Sequence, residues 1–132
     1  AVDDGGVTVR PALLCLALNV YHEARGEPFA GQVAVAQVTM RRAGYKAERN
    51  CEVVVAPKQF SWTGSPKKKP ADRAAWGRAV LAAKKALLWA KGAGEDRSKG
   101  ATHYHASHVK PLWSRGRTPV AVIGGHYFYG GV

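Results

Sequence analysis

Tyr21-His22-Glu23-Ala24-Arg25-Gly26-Glu27 is a stretch that ends an apolar helical pattern with a carboxylate. Leu16 and Val20 precede Glu23 at helical spacing, so the three side chains share one stripe of the predicted helix. We expect partial desolvation and the negative end of the helix dipole to raise the pKa of the Glu23 carboxyl group. A carboxylic acid that keeps its proton near neutral pH is suited to general acid catalysis. The alternative interpretation is an ordinary surface glutamate at a helix end.

Helical patterns flank this stretch on both sides. The first helix is predicted from Pro11 to Ala24, with residues 1–10 as a flexible lead-in. The second is predicted from Pro28 to Ala43. Because Glu27 immediately precedes this second helix, we interpret it as a capping or ion-pairing residue, with Arg25 as a candidate partner. The inner stripe of the second helix is predicted to contain Val33, Ala36, Gln37 and Met40.

Further along the chain, the pattern changes from helix to strand. Residues 51–56 fit either a short strand or one helical turn. A long helix is predicted from Asp72, its N-cap, to Lys91. Alternating stretches and a glycine pair predict strands at Ala101–His105, Val120–Ile123 and Tyr127–Tyr129. Helices followed by a small antiparallel sheet make an α+β fold, and the 132 residues suit a single domain.

The composition restricts the partners of the chain. Its 20 Lys and Arg residues outnumber its 9 Asp and Glu residues, giving a formal net charge of +11. Such a charge predicts an anionic partner, and both nucleic acid and the anionic polymers of a bacterial envelope qualify. No apolar run is long enough for a transmembrane helix. The two cysteines, Cys15 and Cys51, lack the spacing of a thiolate zinc site, and we expect a disulfide between them, with two buried free thiols as the alternative.

The acidic and aromatic residues bear on the chemistry. Glu23 is the one acidic residue of the sequence that continues an apolar stripe. Glycoside hydrolysis usually uses two carboxylates, so a single acid fits a reaction in which the substrate supplies its own nucleophile. Rings and polar groups suited to packing on sugars and bonding their hydroxyls are Tyr21, Gln59, Phe60, Ser61, Trp62, His103, Tyr104, His105, Trp113 and Tyr127.

A metal site built on histidines is the alternative to acid catalysis. The pair His22-Glu23 is not followed by a second histidine at the zincin spacing. His103 and His105 would share one face of a strand, a geometry that some zinc sites use, with Glu23 or His126 as a further ligand. That arrangement would indicate a metal-dependent amidase or peptidase.

Motifs follow one another along nearly the whole chain, at Cys15–Glu27, Gly31–Ala36, Gln59–Trp62, Ala101–His105, Pro111–Trp113 and Ile123–Phe128. Together they resemble the SleB/CwlJ-type cell-wall hydrolases, which include spore-cortex-lytic enzymes and proteobacterial and phage lysins. The first motif is the most specific, and the others occur in the order that the family has.

The resemblance implies a lysozyme-like α+β fold and cleavage of the glycan strand of peptidoglycan, with Glu23 as the catalytic acid. The best-studied members act as lytic transglycosylases, a mechanism that requires no metal or cofactor. His105 departs from the family, since its position often carries asparagine. The expected substrate contacts are Tyr21, Glu27, Gln59, Phe60, Ser61, Trp62, Tyr104, His105, Trp113 and His126.

The expected setting follows from the resemblance and the charge together. We expect a monomeric lysin, secreted or phage-encoded, that acts on peptidoglycan in the periplasm or cell wall and not on nucleic acid. Its basic residues would hold it to the anionic envelope. The alternatives are a lysozyme-like muramidase that uses water, a metal-dependent peptidoglycan amidase or peptidase, and a non-enzymatic basic binding module.

Overall fold

The computed structural model describes residues 3–55 and 70–132, with side chains described for 11–54 and 70–132. Within these ranges, helices come first and a small antiparallel sheet comes last, which is the predicted α+β order. The helices are α1 Asp3–Ala24, α2 Phe29–Arg42, α3 Asn50–Val55 and α4 Arg73–Ala90. The strands are β1 His103–Ala106, β2 Ala121–Ile123 and β3 His126–Tyr129, and short 3₁₀ turns lie at Ala47–Arg49 and Leu112–Ser114. No helix in the described ranges is both long and apolar enough to cross a membrane.

Helix α2 is the centre of the fold. Every residue from Gly31 to Met40 is buried, because α1, α3, α4 and β1 all contact this helix. The predicted inner stripe is therefore correct but covers only part of the buried surface. Polar residues inside α2 need partners, and Gln37 finds two: its Nε2 donates to the carbonyl of Glu95 at 2.9 Å, and its Oε1 accepts from the N–H of Arg97 at 2.8 Å.

Helix α4 packs through an alanine face. Asp72 is its N-cap, and the Asp72 carboxylate accepts a hydrogen bond from the N–H of Ala75 at 2.9 Å. The prediction of a helix from Asp72 to Lys91 is confirmed, since these two residues are the caps of α4. Small side chains let helix axes approach closely, and the fully buried residues are Ala75, Ala79, Ala82, Ala83 and Ala86.

Helix α1 differs most from its prediction. It begins at Asp3 and carries Pro11 in its interior, whereas the sequence predicted that the helix starts at Pro11. Proline favours a first helical turn, since inside a helix it removes one backbone hydrogen bond and its ring crowds the carbonyl four residues earlier, at a cost of about 3 kcal/mol.

A disulfide links two of the helices. Cys15 in α1 is bonded to Cys51 in α3, as predicted, so the alternative of two free thiols is wrong. Cys51 belongs to the segment whose sequence fitted either a strand or a helical turn. That segment is helical from Asn50 to Val55. With 36 residues between the cysteines, the cross-link stabilises the fold by about 4 kcal/mol in the chain-entropy model.

The sheet has two chemically different faces. Its strand order in the described ranges is β1-β3-β2, and the predicted hairpin at Gly124-Gly125 joins β2 to β3. Residues paired across antiparallel strands share a face. The inner face, defined by Tyr104, His126 and Phe128, turns toward the helices, and Phe128 is fully buried in the core. The outer face, defined by His103, His105, Tyr127 and Tyr129, turns away from them.

Candidate active site

Glu23 lies in the last turn of α1, partly buried, where the inner face of the sheet meets the helices. The ring of His126 forms a hydrogen bond with the backbone carbonyl of Glu23. Tyr104 lies close by: burial first, and the negative charge of Glu23 second, raise the pKa of the Tyr104 phenol well above its usual value. A carboxylate at a helix end, bordered by an imidazole and a phenol, has the surroundings of a catalytic group.

Two buried polar residues extend this group, and the sequence analysis did not name either. Asn19 lies one helical turn before Glu23 and is fully buried. Its Oδ1 accepts a hydrogen bond from the hydroxyl of Thr39 at 2.7 Å, and its Nδ2 donates to the hydroxyl of Tyr104 at 3.5 Å. The signal for Asn19 was available in the sequence, because an asparagine four residues before Glu23 falls on the same helical face.

His126 is neutral near pH 7. Its side chain is 6% exposed, and burial is the main reason that its pKa lies below the usual value for histidine. The charge of Glu27 and the bond to the Glu23 carbonyl act in the opposite direction but do not offset burial. Among the described residues, the Nδ1 atom of His126 has no hydrogen-bond partner, and it lies 3.9 Å from Oε1 of Glu27.

Glu27 has a different contact from the one predicted. Pro28 is the N-cap of α2, so Glu27 does not cap this helix, and Arg25 instead lies over the ring of Tyr21 at 4.6 Å. Oε1 of Glu27 accepts a hydrogen bond from the backbone N–H of Gly125 at 2.7 Å. The turn residue Gly124 has φ of 56°, and a Cβ there would overlap the Glu27 carboxylate and the ring of Pro28. The hairpin turn thus fits closely against Glu27.

Tyr21 has a structural position that does not suit the predicted sugar contact. It is 3% exposed, which leaves almost no ring surface for a ligand. Its hydroxyl accepts hydrogen bonds from the N–H groups of Ala71 and Asp72, both at 3.1 Å, and from the guanidinium of Arg25. These hydrogen bonds lower the pKa of the Tyr21 phenol, and the bond from the N–H of Asp72 has the largest effect. Tyr21 therefore joins α1 to the start of α4.

His105 and Trp113 lie on the outer face of the sheet, on the side opposite to Glu23. The His105 ring stacks on those of Tyr127 and Tyr129, with centroids 5.5 and 5.3 Å apart, and both of its nitrogens have hydrogen-bond partners. Trp113 packs edge-on against it at 5.7 Å. Tyr104 and His105 were both expected to contact substrate, but adjacent residues of a strand point to opposite faces, so of the two it is Tyr104 that lies on the face next to Glu23.

The remaining predicted contacts, Gln59, Phe60, Ser61 and Trp62, lie outside the described residues. The histidines are divided by the sheet: His103 and His105 share the outer face as predicted, whereas His126 belongs to the inner face. Within residues 11–54 and 70–132, no three His, Cys, Asp and Glu side chains are grouped to hold a metal ion.

A groove of about 640 Å³ lies between α2 and α4, away from Glu23. Phe29 and Val33 line it, whereas Glu27 and Gly31 contact the β2–β3 hairpin. Residues two apart on a helix point in nearly opposite directions, so the groove is on the far side of α2 from the sheet. We therefore locate the candidate site by its polar residues and not by this groove.

Comparisons with known proteins agree with this architecture. A family model described as Cell Wall Hydrolase matches residues 26–129, a stretch that begins just after Glu23. The fold is similar to the crystal structure of the catalytic domain of the Bacillus cereus SleB protein, with a TM-score of 0.69, 26% sequence identity, and 89% of this chain and 88% of that chain covered. This likeness confirms the predicted lysozyme-like α+β fold. Among individually curated proteins, none matches the sequence.

Proposed function

Because the chain belongs to the cell wall hydrolase family, we propose that it cleaves the glycan strand of peptidoglycan, with Glu23 as acid and base. The bond cut is the one between N-acetylmuramic acid and N-acetylglucosamine. The observation that supports this proposal is the position of Glu23, partly buried at a helix end beside Tyr104 and His126. Desolvation and a helix C-terminus both favour the protonated acid that glycosidic cleavage needs.

The other carboxylates with described side chains have different environments. Glu27 bonds to Gly125, Asp72 caps α4, and Asp96 pairs with Arg41. Glu52 and Glu95 are mostly exposed beside arginines, and Glu48 is exposed. Glu23 is therefore the strongest candidate among them for proton transfer to a substrate.

The proposed reaction uses Glu23 twice. Its carboxylic acid donates a proton to the glycosidic oxygen as the bond from that oxygen to C1 of the muramic residue breaks. Positive charge develops at C1, as in other glycosidic cleavages. The Glu23 carboxylate then removes the proton from the C6 hydroxyl of the same sugar, and O6 closes on C1. The products are a free N-acetylglucosamine end and a 1,6-anhydromuramic end, with no water consumed and Glu23 protonated again.

The experiment is a digestion of purified peptidoglycan followed by mass spectrometry of the soluble products. We expect muropeptides one water lighter than the reducing forms. Glu23→Gln should abolish their release, while the matched variant Glu52→Gln, at an exposed site on α3, should release them like the wild type. A folded Glu23→Gln protein with substantial activity would exclude the proposed role, and free stem peptides with intact glycan would exclude the bond.

Hydrolysis by water is the second candidate. It needs a second carboxylate, and the Glu27 side chain is 24% exposed and lies beside His126, close to the turn that carries Glu23. In this version a water attacks C1, and the products have full-weight reducing ends. The same mass spectra distinguish the two reactions.

The setting is also part of the proposal. A net charge of +11 supports attraction to an anionic envelope, and the action we propose is on peptidoglycan in the periplasm or cell wall. We propose that residues 1–132 act as one catalytic domain and as a monomer, either as a lysin released by a phage or as a secreted enzyme.

A further inference from the structure

A row of buried polar side chains leads from the last turn of α2 to the C-terminal part of α1. Thr39 and Asn19 are fully buried, and a hydrogen bond of 2.7 Å joins the Thr39 hydroxyl to Oδ1 of Asn19. Nδ2 of Asn19 reaches the hydroxyl of Tyr104 at 3.5 Å. Asn19 and Thr39 lie too deep to touch a glycan, so their contribution must pass through Tyr104.

The bond from Thr39 fixes the orientation of the Asn19 amide. An amide has one accepting oxygen and one donating NH₂ group. Because the oxygen is directed to the Thr39 hydroxyl, the NH₂ group is the part that faces Tyr104. The phenol oxygen therefore accepts from Asn19, and the phenol proton has to point elsewhere. Without the Thr39 hydroxyl, the amide is free to rotate and to accept that proton itself.

The geometry indicates where the proton points. Asn19 and Glu23 are four residues apart on α1 and share one face, and the Tyr104 hydroxyl lies over that face at Asn19. The Tyr104 ring also contacts that of His126, with centroids 5.6 Å apart, and His126 bonds to the Glu23 carbonyl. The contacts of Tyr104 with Asn19 and with His126 thus both place it beside the turn that carries Glu23. Its raised pKa keeps the phenol protonated, so it remains a donor over the whole working range of pH.

We propose that Thr39 and Asn19 are positioning residues that direct the Tyr104 hydroxyl to donate a hydrogen bond to the Glu23 carboxylate. This inference rests on the proposed function. The bond would hold the carboxylate in place after its first proton transfer, when it must accept the proton of the C6 hydroxyl. A hydrogen bond to an ionised group is stronger than one between neutral groups, so its loss should be visible in the rate.

The test compares Thr39→Val, which removes the hydroxyl and keeps the branched shape, with Thr39→Ser, which keeps a hydroxyl. With soluble glycan-strand fragments as substrate, we expect Thr39→Val to lower kcat about tenfold with KM changed less than twofold. Thr39→Ser should recover most of this rate. The alkaline limb of the pH–rate profile should move to higher pH in Thr39→Val, because a donor that favours the ionised carboxylate is lost.

A double variant separates positioning from stability. If the Thr39 hydroxyl acts through Tyr104, Thr39→Val should cause no further loss of kcat in a Tyr104→Phe background. Val38→Ala, another buried site on α2, is the matched control: it should lower the melting temperature and leave the alkaline limb in place. The proposal would be overturned if Thr39→Val lowered kcat by the same factor in the wild-type and Tyr104→Phe backgrounds and left the alkaline limb of the pH–rate profile in place.

Two further outcomes keep the tests independent. If Thr39→Val does not fold, the single variant Tyr104→Phe decides, since it removes one hydroxyl from a partly buried ring and should move the same limb. An unmoved limb in Tyr104→Phe rejects the proposal. If Glu23→Gln retains activity, the proposed function fails first; if Glu23→Gln is inactive while Thr39→Val behaves as the wild type, only the positioning role fails.

Discussion

Oε1 of Glu27 accepts a hydrogen bond from the backbone N–H of Gly125 at 2.7 Å, joining residues that are 98 positions apart in the chain. This bond attaches the β2–β3 hairpin to the connection between α1 and α2. His126 directly follows the turn and bonds to the carbonyl of Glu23. Through this bond, Glu27 holds the inner face of the sheet against the turn that carries Glu23.

The bond to Gly125 predicts different effects for two substitutions of Glu27. Glu27→Ala leaves the Gly125 N–H without its acceptor and should lower the free energy of unfolding by about 1–3 kcal/mol. Glu27→Gln keeps an acceptor oxygen and should lower it by less. Urea unfolding of both variants measures this difference. If both retain wild-type stability and lose activity equally, the Glu27 carboxylate has a chemical role and the water-using reaction gains support.

The close fit of the hairpin turn predicts a strong effect at Gly124. Gly124→Ala adds a Cβ that overlaps Glu27 and Pro28 at a positive φ, so we expect a loss of about 1–3 kcal/mol in unfolding free energy. Gly77 in α4 is the matched control, because a Cβ there meets no atom of the described part of the chain within 4 Å. Gly77→Ala should stabilise the protein by about 1 kcal/mol. Equal melting temperatures for the two variants would contradict this account of the turn.

The lowered pKa of His126 predicts that the fold loses stability in mild acid. The unfolded histidine takes up a proton near pH 6.5, its usual pKa. The folded one, held neutral mainly by burial, does so only at lower pH. Its contribution to stability is therefore complete above about pH 6.5 and decreases as the pH falls toward the folded pKa.

The measurement is the melting temperature of the wild type and of His126→Asn between pH 7 and pH 5. The wild type should lose more than the variant over this interval. His103 also has a pKa lowered by burial, so the comparison between the two proteins, and not the wild-type slope alone, is the informative quantity. An identical pH dependence in both would mean that His126 does not titrate as described.

The net charge predicts that lytic activity falls with added salt. Attraction between exposed charges is screened beyond about 10 Å at 0.1 M ionic strength. Release of soluble products from whole peptidoglycan should therefore decrease between about 10 mM and 300 mM NaCl, and cleavage of short glycan fragments, which carry few charges, should change much less. If salt lowered the cleavage of both substrates equally, the loss would reflect a change in catalysis by the enzyme and not weaker attraction to the envelope.

The parts of the fold that were predictable depend on local signals. Helix α4 has a cap at Asp72 and a helical period, and the hairpin has its glycine pair, so both were found from short stretches of sequence. The burial of every residue from Gly31 to Met40 in α2 was not predictable in this way, because it depends on elements from both ends of the chain packing around the helix. The position of Tyr21 likewise depends on a segment that returns 50 residues later.

Local signals also explain which residues of the candidate site could be predicted from the sequence. Glu23 follows from its stripe, and Asn19 was available from the same stripe. Which face of β1 meets α1 is decided by the packing of the sheet, and alternation along the strand then places Tyr104 beside Glu23 and His105 away from it. Thr39 has no distinguishing local signal, since a threonine within a helix is recognisable as part of a polar row only after α1 and α2 are packed together.

The burial of residues 31–40 of α2 has a consequence for how the molecule opens. Because the amide groups of residues 31–40 are enclosed by other elements, no local fraying exposes them, and their hydrogens should exchange with solvent only when the whole domain unfolds. The slowest exchange rates on this helix would then report the global free energy of unfolding directly. The exposed residues of the 3₁₀ turn Leu112–Ser114 and its neighbours should exchange through far smaller openings.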